Sequence, residues 1–421
     1  MKNLIKKLFP ILPKWIRLTL YKVYEDFFTF VSYIKIRNIL LSKKVRNNQK
    51  KNILFYHTSG LSFGGTEKSL QIIAKTVDKN KYNVYFMYSP KPVKYSNGNM
   101  RLDGRKSYLE NSGVNFIEFD FDTIGEKYPF IIKNQKPDIF SVIKDKKIDM
   151  LFTAGSGYST FPTNLIRNIP IIMMNIFGAP STQKNIAKHI CISEEVRGKI
   201  LPIVNKEKTE MVYIQSELPP PNMRELGEKV REKFNIKKSD MVFGRIGRPD
   251  NGIFDPIGIN AFKKVLVDYP NTHYIIMAPP PILVEKVKNE NIKNVHFIEP
   301  SAKEEDVWAF HGSINVLAHF RYDGESFGLN IAESMLAGNP IISHKSPIWN
   351  AHLEYLDDSF SRITEIGDVE KYAEYMKFMI KQHKENKLKE MGQKAKEKAE
   401  KLFYIKNNIE KIEKIIDKIP C

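Results

Sequence analysis

Cysteine is nearly absent: Cys191 and Cys421 are the only two in 421 residues, and they lie far apart. That excludes a disulfide framework and a clustered zinc site, and it predicts a reducing compartment. Cys421 does not fit the prenylation pattern, which places its cysteine about four residues from the end. No run of about eighteen apolar residues occurs, which argues against a spanning helix. Lys14, Arg17 and Lys22 interrupt any apolar stretch that could act as a secretory leader. The dinucleotide fingerprint Gly-x-Gly-x-x-Gly is missing. Gly-x-Ser-x-Gly and a Ser/His/Asp arrangement are missing too, so a hydrolase reading has no support.

Positive charge is what the chain has in excess, with a formal net of +18. Residues 1–51 hold thirteen Lys and Arg against Glu25 and Asp26, a net of +11 that leaves +7 for the remainder. A nucleic-acid binder would spread its basic surface over a folded face, so no nucleic-acid partner is expected. Residues 13–46 read as one helix opened by Pro13, with Trp15, Tyr21, Tyr24, Phe27, Phe28, Phe30 and Tyr33 among basic residues. Aromatic and basic residues together suit a helix lying on an anionic membrane. The expected location is therefore cytoplasmic, peripheral on the inner face of a membrane. A helix packed on its own domain is the plainer alternative.

From residue 52 onward, strands and helices alternate, which predicts parallel sheets covered on both faces. Strands are expected at Asn52–Tyr56, Val84–Tyr88, Val114–Phe119, Met150–Thr153, Ile171–Asn175, His189–Ile192 and Met211–Ile214. The three consecutive prolines in Ser216–Asn222 favour an extended linker. A second series follows at Met241–Ile246, Tyr274–Met277, Val295–Ile298, Ile314–Phe320 and Pro340–Ser343. The expected division is a basic arm (1–51), a first Rossmann-like domain (52–218), a second (219–385) and a helical tail (386–421).

The most informative segment runs Arg321-Tyr-Asp-Gly-Glu325-Ser-Phe-Gly-Leu-Asn-Ile-Ala-Glu333 and ends at Gly338-Asn-Pro340. It follows an apolar strand and opens a helix near Phe327, which Gly338 and Pro340 close. Ligands of open α/β sheets bind at the carboxyl ends of strands. The amides of Phe327, Gly328 and Leu329 can hold an anion with the help of the helix dipole. A helix carboxylate can grip vicinal hydroxyls. A second segment, Arg245-Ile-Gly247-Arg248-Pro-Asp250-Asn-Gly252, supplies guanidinium forks that suit phosphate. A third, His57 to Glu67 with Gly64-Gly65-Thr66, brings a backbone close to a ligand ahead of a helix.

These segments together resemble the retaining glycosyltransferases of family 4, whose signature is Glu, seven residues, Glu, with Phe-Gly after the first acid. The resemblance spans about residues 52–385. It implies the GT-B fold: two facing Rossmann-like domains with a cleft between them. It implies that Glu325 contacts the donor sugar, that Glu333 holds the ribose, and that the amides after Glu325 bind sugar or diphosphate. It implies Arg245 and Arg248 on the diphosphate, with Gly64 and Gly65 beside phosphate and acceptor. The family carries Lys-Gly where this chain has Asn251-Gly252, and Arg248 is the expected substitute. No cofactor or metal is implied. The donor is expected to be a UDP- or GDP-sugar, and the acceptor a saccharide or a lipid-linked one. Asp120-Phe-Asp122 is the competing signal, since two carboxylates one residue apart can share a divalent ion. The rival classes are a sugar-nucleotide epimerase or a phosphorylase of similar fold, and a non-catalytic binder of anionic surfaces.

Overall fold

The computed structural model describes residues 50–57, 61–62, 64–90, 105–123, 132–158, 161–301 and 303–420. The arm expected at 13–46 lies outside them. Among the described residues, no helix is long and apolar enough to cross a membrane.

Two parallel sheets organise the chain. The first contains β1 (Lys51–Tyr56), β2 (Tyr82–Tyr88), β3 (Val114–Glu118), β4 (Met150–Gly155), β5 (Ile171–Asn175), β6 (Ile186–Cys191) and β7 (Thr209–Met211), in the order β3-β2-β1-β4-β5-β6-β7. The second contains β8 (Met241–Ile246), β9 (Thr272–Met277), β10 (Val295–Ile298), β11 (Val316–Ala318), β12 (Ile341–His344) and β13 (Ser361–Thr364), in the order β10-β9-β8-β11-β12-β13. In both sheets the order reverses beside the first strand, so each has a switch-point crevice at its carboxyl edge. The central strands are continuous apolar runs: Ile53, Leu54 and Phe55 of β1 and Val242 and Phe243 of β8 are fully buried. That is the pattern of strands covered on both faces. The fold is α/β with two Rossmann-like domains, as the alternation predicts.

Three strands differ from the sequence reading, the expected His189–Ile192 being found as Ile186–Cys191. Met211–Ile214 was expected to be a strand, but β7 ends at Met211 because the chain there leaves the sheet to cross between domains. Ser216 donates its amide to Phe403 O (2.7 Å) and accepts from Ile405 N (3.0 Å), so the two crossing segments pair with each other. The expected strand Ile314–Phe320 is trimmed to Val316–Ala318, because the chain then turns out of the sheet and carries His319 and Arg321 to its carboxyl edge. An antiparallel ladder between Asp120–Thr123 and Ile132–Lys136 was not anticipated.

Six helices set the seam between the sheets: α1 (Gly65–Thr76), α2 (Glu194–Ile200), α3 (Glu304–Ser313), α4 (Leu329–Leu336), α5 (Leu388–Phe403) and α6 (Ile405–Asp417). Leu70, Ile73 and Ala74 form the buried stripe of α1. The tail expected at 386–421 divides between layers. α5 packs on α4, whereas α6 returns to the first sheet. There Glu413 accepts from Asp78 N at 2.9 Å and Asp417 accepts from Tyr82 OH at 2.7 Å.

Candidate active site

The turn between β11 and α4 is held by apolar packing beneath it. Phe327 is buried among Tyr213, Tyr355 and Phe403, with ring centroids 5.4–5.9 Å away. Tyr355 donates its hydroxyl to Phe327 O. Phe327 therefore acts as a pin, and its side chain is closed to any ligand. Gly328 follows with φ +91°, a conformation that glycine adopts without strain, and an added Cβ would press on Tyr355 at 3.0 Å. Helix α4 begins at Leu329, two residues later than expected, so Leu329 and Asn330 lead its first turn. Gly338, with φ +77°, closes the helix as anticipated.

Glu325 lies just before this pin, its side chain only 12% exposed. Arg321 Nη1 stands 3.4 Å from one carboxylate oxygen and 3.5 Å from the other. Arg321 is itself anchored on Asp323, at 2.5 and 2.8 Å. His319 Nε2 lies 3.4 Å from Glu325. Asn330 Nδ2 donates to Ile246 O (2.8 Å) and stands 3.4 Å from His319 Nδ1, which fits the tautomer with its proton on Nε2, facing Glu325. Burial, aided by His352 and Arg245, holds His319 well below the ordinary imidazole range, so it is neutral here. Burial raises Glu325 above the usual carboxylate range although Arg321 pulls the other way. The result is a desolvated carboxylate held by one guanidinium, with a neutral imidazole nearby whose Nε2 makes no hydrogen bond among the described residues, a good acceptor for sugar hydroxyls.

Arg245 lies beneath this group, 1% exposed, its guanidinium 5.0 Å from the Phe320 ring. Its Nε donates to Phe320 O (3.4 Å), and its Nη1 has no hydrogen-bond partner among the described residues. Burial pushes it down to about 10, which still leaves it cationic at neutral pH. Arg248 is on the rim, 44% exposed and 3.5 Å from Asp250, and its charge still acts on Glu325. Asp120 and Asp122 stand on the antiparallel ladder of the first domain, outside the seven-stranded sheet.

The first domain meets this turn head-on. Gly64 caps α1, and a Cβ there would collide with Glu67 at 2.3 Å. Gly65 faces Leu329, whose side chain lies 3.7 Å from where a Cβ would be. The starts of α1 and α4 thus lie against each other from opposite domains, each with unpaired leading amides at its positive end. One turn further along each helix, Lys68 Nζ contacts Glu333 at 2.5 Å and Glu304 at 3.0 Å. Arg105 also pairs with Glu304 and donates to Gln71 at 2.5 Å. At the other end of the seam, Ser193 Oγ donates to Ser326 O (2.9 Å), and Glu354 accepts from Glu194 N and Glu195 N, at 3.0 and 2.8 Å.

The structure therefore brings together Glu325, Arg245, Gly328, Leu329, Glu333, Gly64 and Gly65, with Arg248 at the margin. Sequence reasoning missed His319, Lys68, Arg105 and Glu304, and gave Arg321 no role. Only Arg321 carried a local signal, its position four residues before Glu325. His319 reaches Glu325 within the second domain, whereas Lys68, Arg105 and Glu304 become neighbours only when the two sheets face each other.

Residues 258–398 match the family model for glycosyl transferases group 1. That stretch holds Glu325 and Glu333, while Arg245 and the first domain lie outside it. No curated protein matches the sequence. Solved structures give the same two-domain GT-B architecture. Anabaena Alr3699/HepE in complex with UDP and glucose is 17% identical, with TM-score 0.66, covering 88% of this chain and 100% of that one. Sucrose-phosphate synthase from Thermosynechococcus elongatus is 13% identical, with TM-score 0.63, covering 88% and 99%. WaaG, a glycosyltransferase involved in lipopolysaccharide biosynthesis, is 15% identical, with TM-score 0.59, covering 87% and 100%. At these identities the likeness is one of fold.

Proposed function

We propose that the protein is a retaining, metal-independent glycosyltransferase of the family 4 kind, taking its sugar from a UDP- or GDP-sugar. The observation that carries this reading is the meeting of two helix starts, at Gly65 and Leu329, directly beside Glu325 and one helical turn from Glu333. The diphosphate would lie on these two helix starts with Arg245 and Arg248. Glu325 would hold the sugar hydroxyls and Glu333 the ribose diol. As the bond from the sugar C1 to the diphosphate oxygen breaks, its electron pair goes to that oxygen, where fixed guanidinium and amide dipoles stabilise the charge. The acceptor hydroxyl forms the new bond to C1, and its proton passes to the departing phosphate. No protein nucleophile or cofactor is needed for that balance. The UDP in the HepE complex supports a nucleotide donor.

Thermal stability with UDP, GDP, ADP and CDP, each with a chelator, tests the donor site. One nucleotide at about a hundred times its dissociation constant should stabilise the fold by about 2.7 kcal/mol, several degrees for domains of this size. Glu333→Ala and Arg245→Ala should abolish that shift. A shift that appears only with Mn²⁺ and is lost in Asp120→Ala would move the site to the competing carboxylate pair.

The acceptor in this reading is a saccharide or a lipid-linked one on the cytoplasmic face of a membrane, reached through the basic arm. The part played by WaaG in lipopolysaccharide biosynthesis supports it. Removing residues 1–49 should abolish co-sedimentation with vesicles containing anionic lipid and leave nucleotide binding intact. Unchanged vesicle binding would exclude the arm as the anchor.

A further inference from the structure

The carboxylate assigned to the ribose is already occupied. Glu333 receives the Lys68 ammonium at 2.5 Å and the Ser216 hydroxyl at 3.5 Å on the same oxygen, Oε1. Its other oxygen lies 4.0 Å from the buried His311 ring. The side chains of Glu333 and Lys68 are only 5% and 7% exposed. A ribose diol therefore cannot reach this carboxylate while Lys68 stays in place. A cavity of about 400 Å³ lies on the same seam and shares Glu304 with the ion cluster, but neither Glu325 nor Glu333 lines it.

Lys68 is well held where it is. Burial works against its charge, but the carboxylates of Glu333 and Glu304 outweigh that, and the ammonium titrates above the ordinary lysine range. Lys68 belongs to the first domain, and both carboxylates belong to the second. The pair is thus a bond between domains across the ligand position. Glu304 keeps a second hold through Arg105, whose Nη2 is buried without a hydrogen-bond partner among the described residues.

We propose that Lys68 is a latch that competes with the nucleotide for Glu333, so that the cleft closes on an empty donor site and nucleotide binding must first break the Lys68–Glu333 pair. This rests on the assignment of Glu333 to the nucleotide. When the competent form is a fraction of the population, apparent affinity falls by that fraction. A latch favoured about tenfold weakens binding about tenfold, and removing it restores that factor.

The test is calorimetric titration of UDP into the full-length wild type, Lys68→Met, Lys68→Gln and the double variant Lys68→Met with Glu333→Gln, with small-angle scattering of each nucleotide-free protein. Lys68→Met should bind UDP about tenfold more tightly and show a larger radius of gyration. Lys68→Gln, which keeps a hydrogen bond but no charge, should fall between it and the wild type, and it carries the same expectation should Lys68→Met not fold. Glu333→Gln made in the Lys68→Met background, where the latch is already gone, should bind UDP more weakly than Lys68→Met alone. Weaker or unchanged UDP binding in both Lys68 variants overturns the latch while leaving the donor site standing. Binding in the double variant equal to that of Lys68→Met overturns the donor-site assignment and the latch with it.

Discussion

Glu325→Gln is expected to lower the transfer rate by about 10²–10³-fold, the loss seen when one preorganised electrostatic group is removed. The substitution keeps the volume and one oxygen, so packing around Phe327 and Tyr355 is undisturbed. Arg321 retains Asp323 at 2.5 and 2.8 Å, so no buried cation is stranded. The thermal midpoint should therefore stay close to that of the wild type. The amide loses the full charge with which a desolvated carboxylate orients sugar hydroxyls. The pH profile supplies a second readout. Burial raises Glu325 above the ordinary carboxylate range, and the ionised form is the one that accepts hydrogen bonds from the sugar hydroxyls. The wild-type rate should thus fall, as pH drops, at a higher pH than a free glutamate would dictate. The Gln variant should lack that acid limb. Initial rates of nucleotide release across pH check both, and a variant within threefold of wild type would remove Glu325 from the chemistry.

The ease of reading Glu325 and Glu333 from the sequence has a physical reason. Both belong to one continuous turn and helix, where spacing alone fixes relative position: Gly328 marks the left-handed residue and Gly338 the helix end. Buried parallel strands such as Met241–Ile246 are legible for a similar reason, as unbroken apolar runs. Lys68 and Arg105 were not legible, because their carboxylates are between 199 and 265 residues away and meet them only when the domains dock. Helix α6 was legible only as part of a helical tail, yet Glu413 and Asp417 bind Asp78, Lys81 and Tyr82 of the first domain. The edge ladder of Asp120–Thr123 is short and interrupted by acids, and nothing local distinguished it from a loop. Motif-bearing chemistry was therefore visible where it is local, and the grip of one domain on the other was not.

Arg245→Met should separate function from stability. The guanidinium is 1% exposed, and its Nη1 finds no hydrogen-bond partner among the described residues. Burial moves it down to about 10, a desolvation cost of about 3 kcal/mol. A fold seldom retains such a cost for its own sake, and apolar replacement of buried charge is often neutral or stabilising by about 1–4 kcal/mol. Methionine fills similar space against Phe320 without the charge. The expected result is a thermal midpoint equal to or above that of the wild type, loss of the nucleotide-induced shift, and a rate lower by about 10²–10³-fold. A variant that loses stability and activity together would make Arg245 a support for the Phe320 turn. A variant that keeps its rate would leave the leaving-group charge to Arg248 and the helix amides. The combination of higher stability and lost turnover is what a site-directed cation predicts: the unpaired Nη1 is held against its own desolvation for a phosphate that arrives only with the donor.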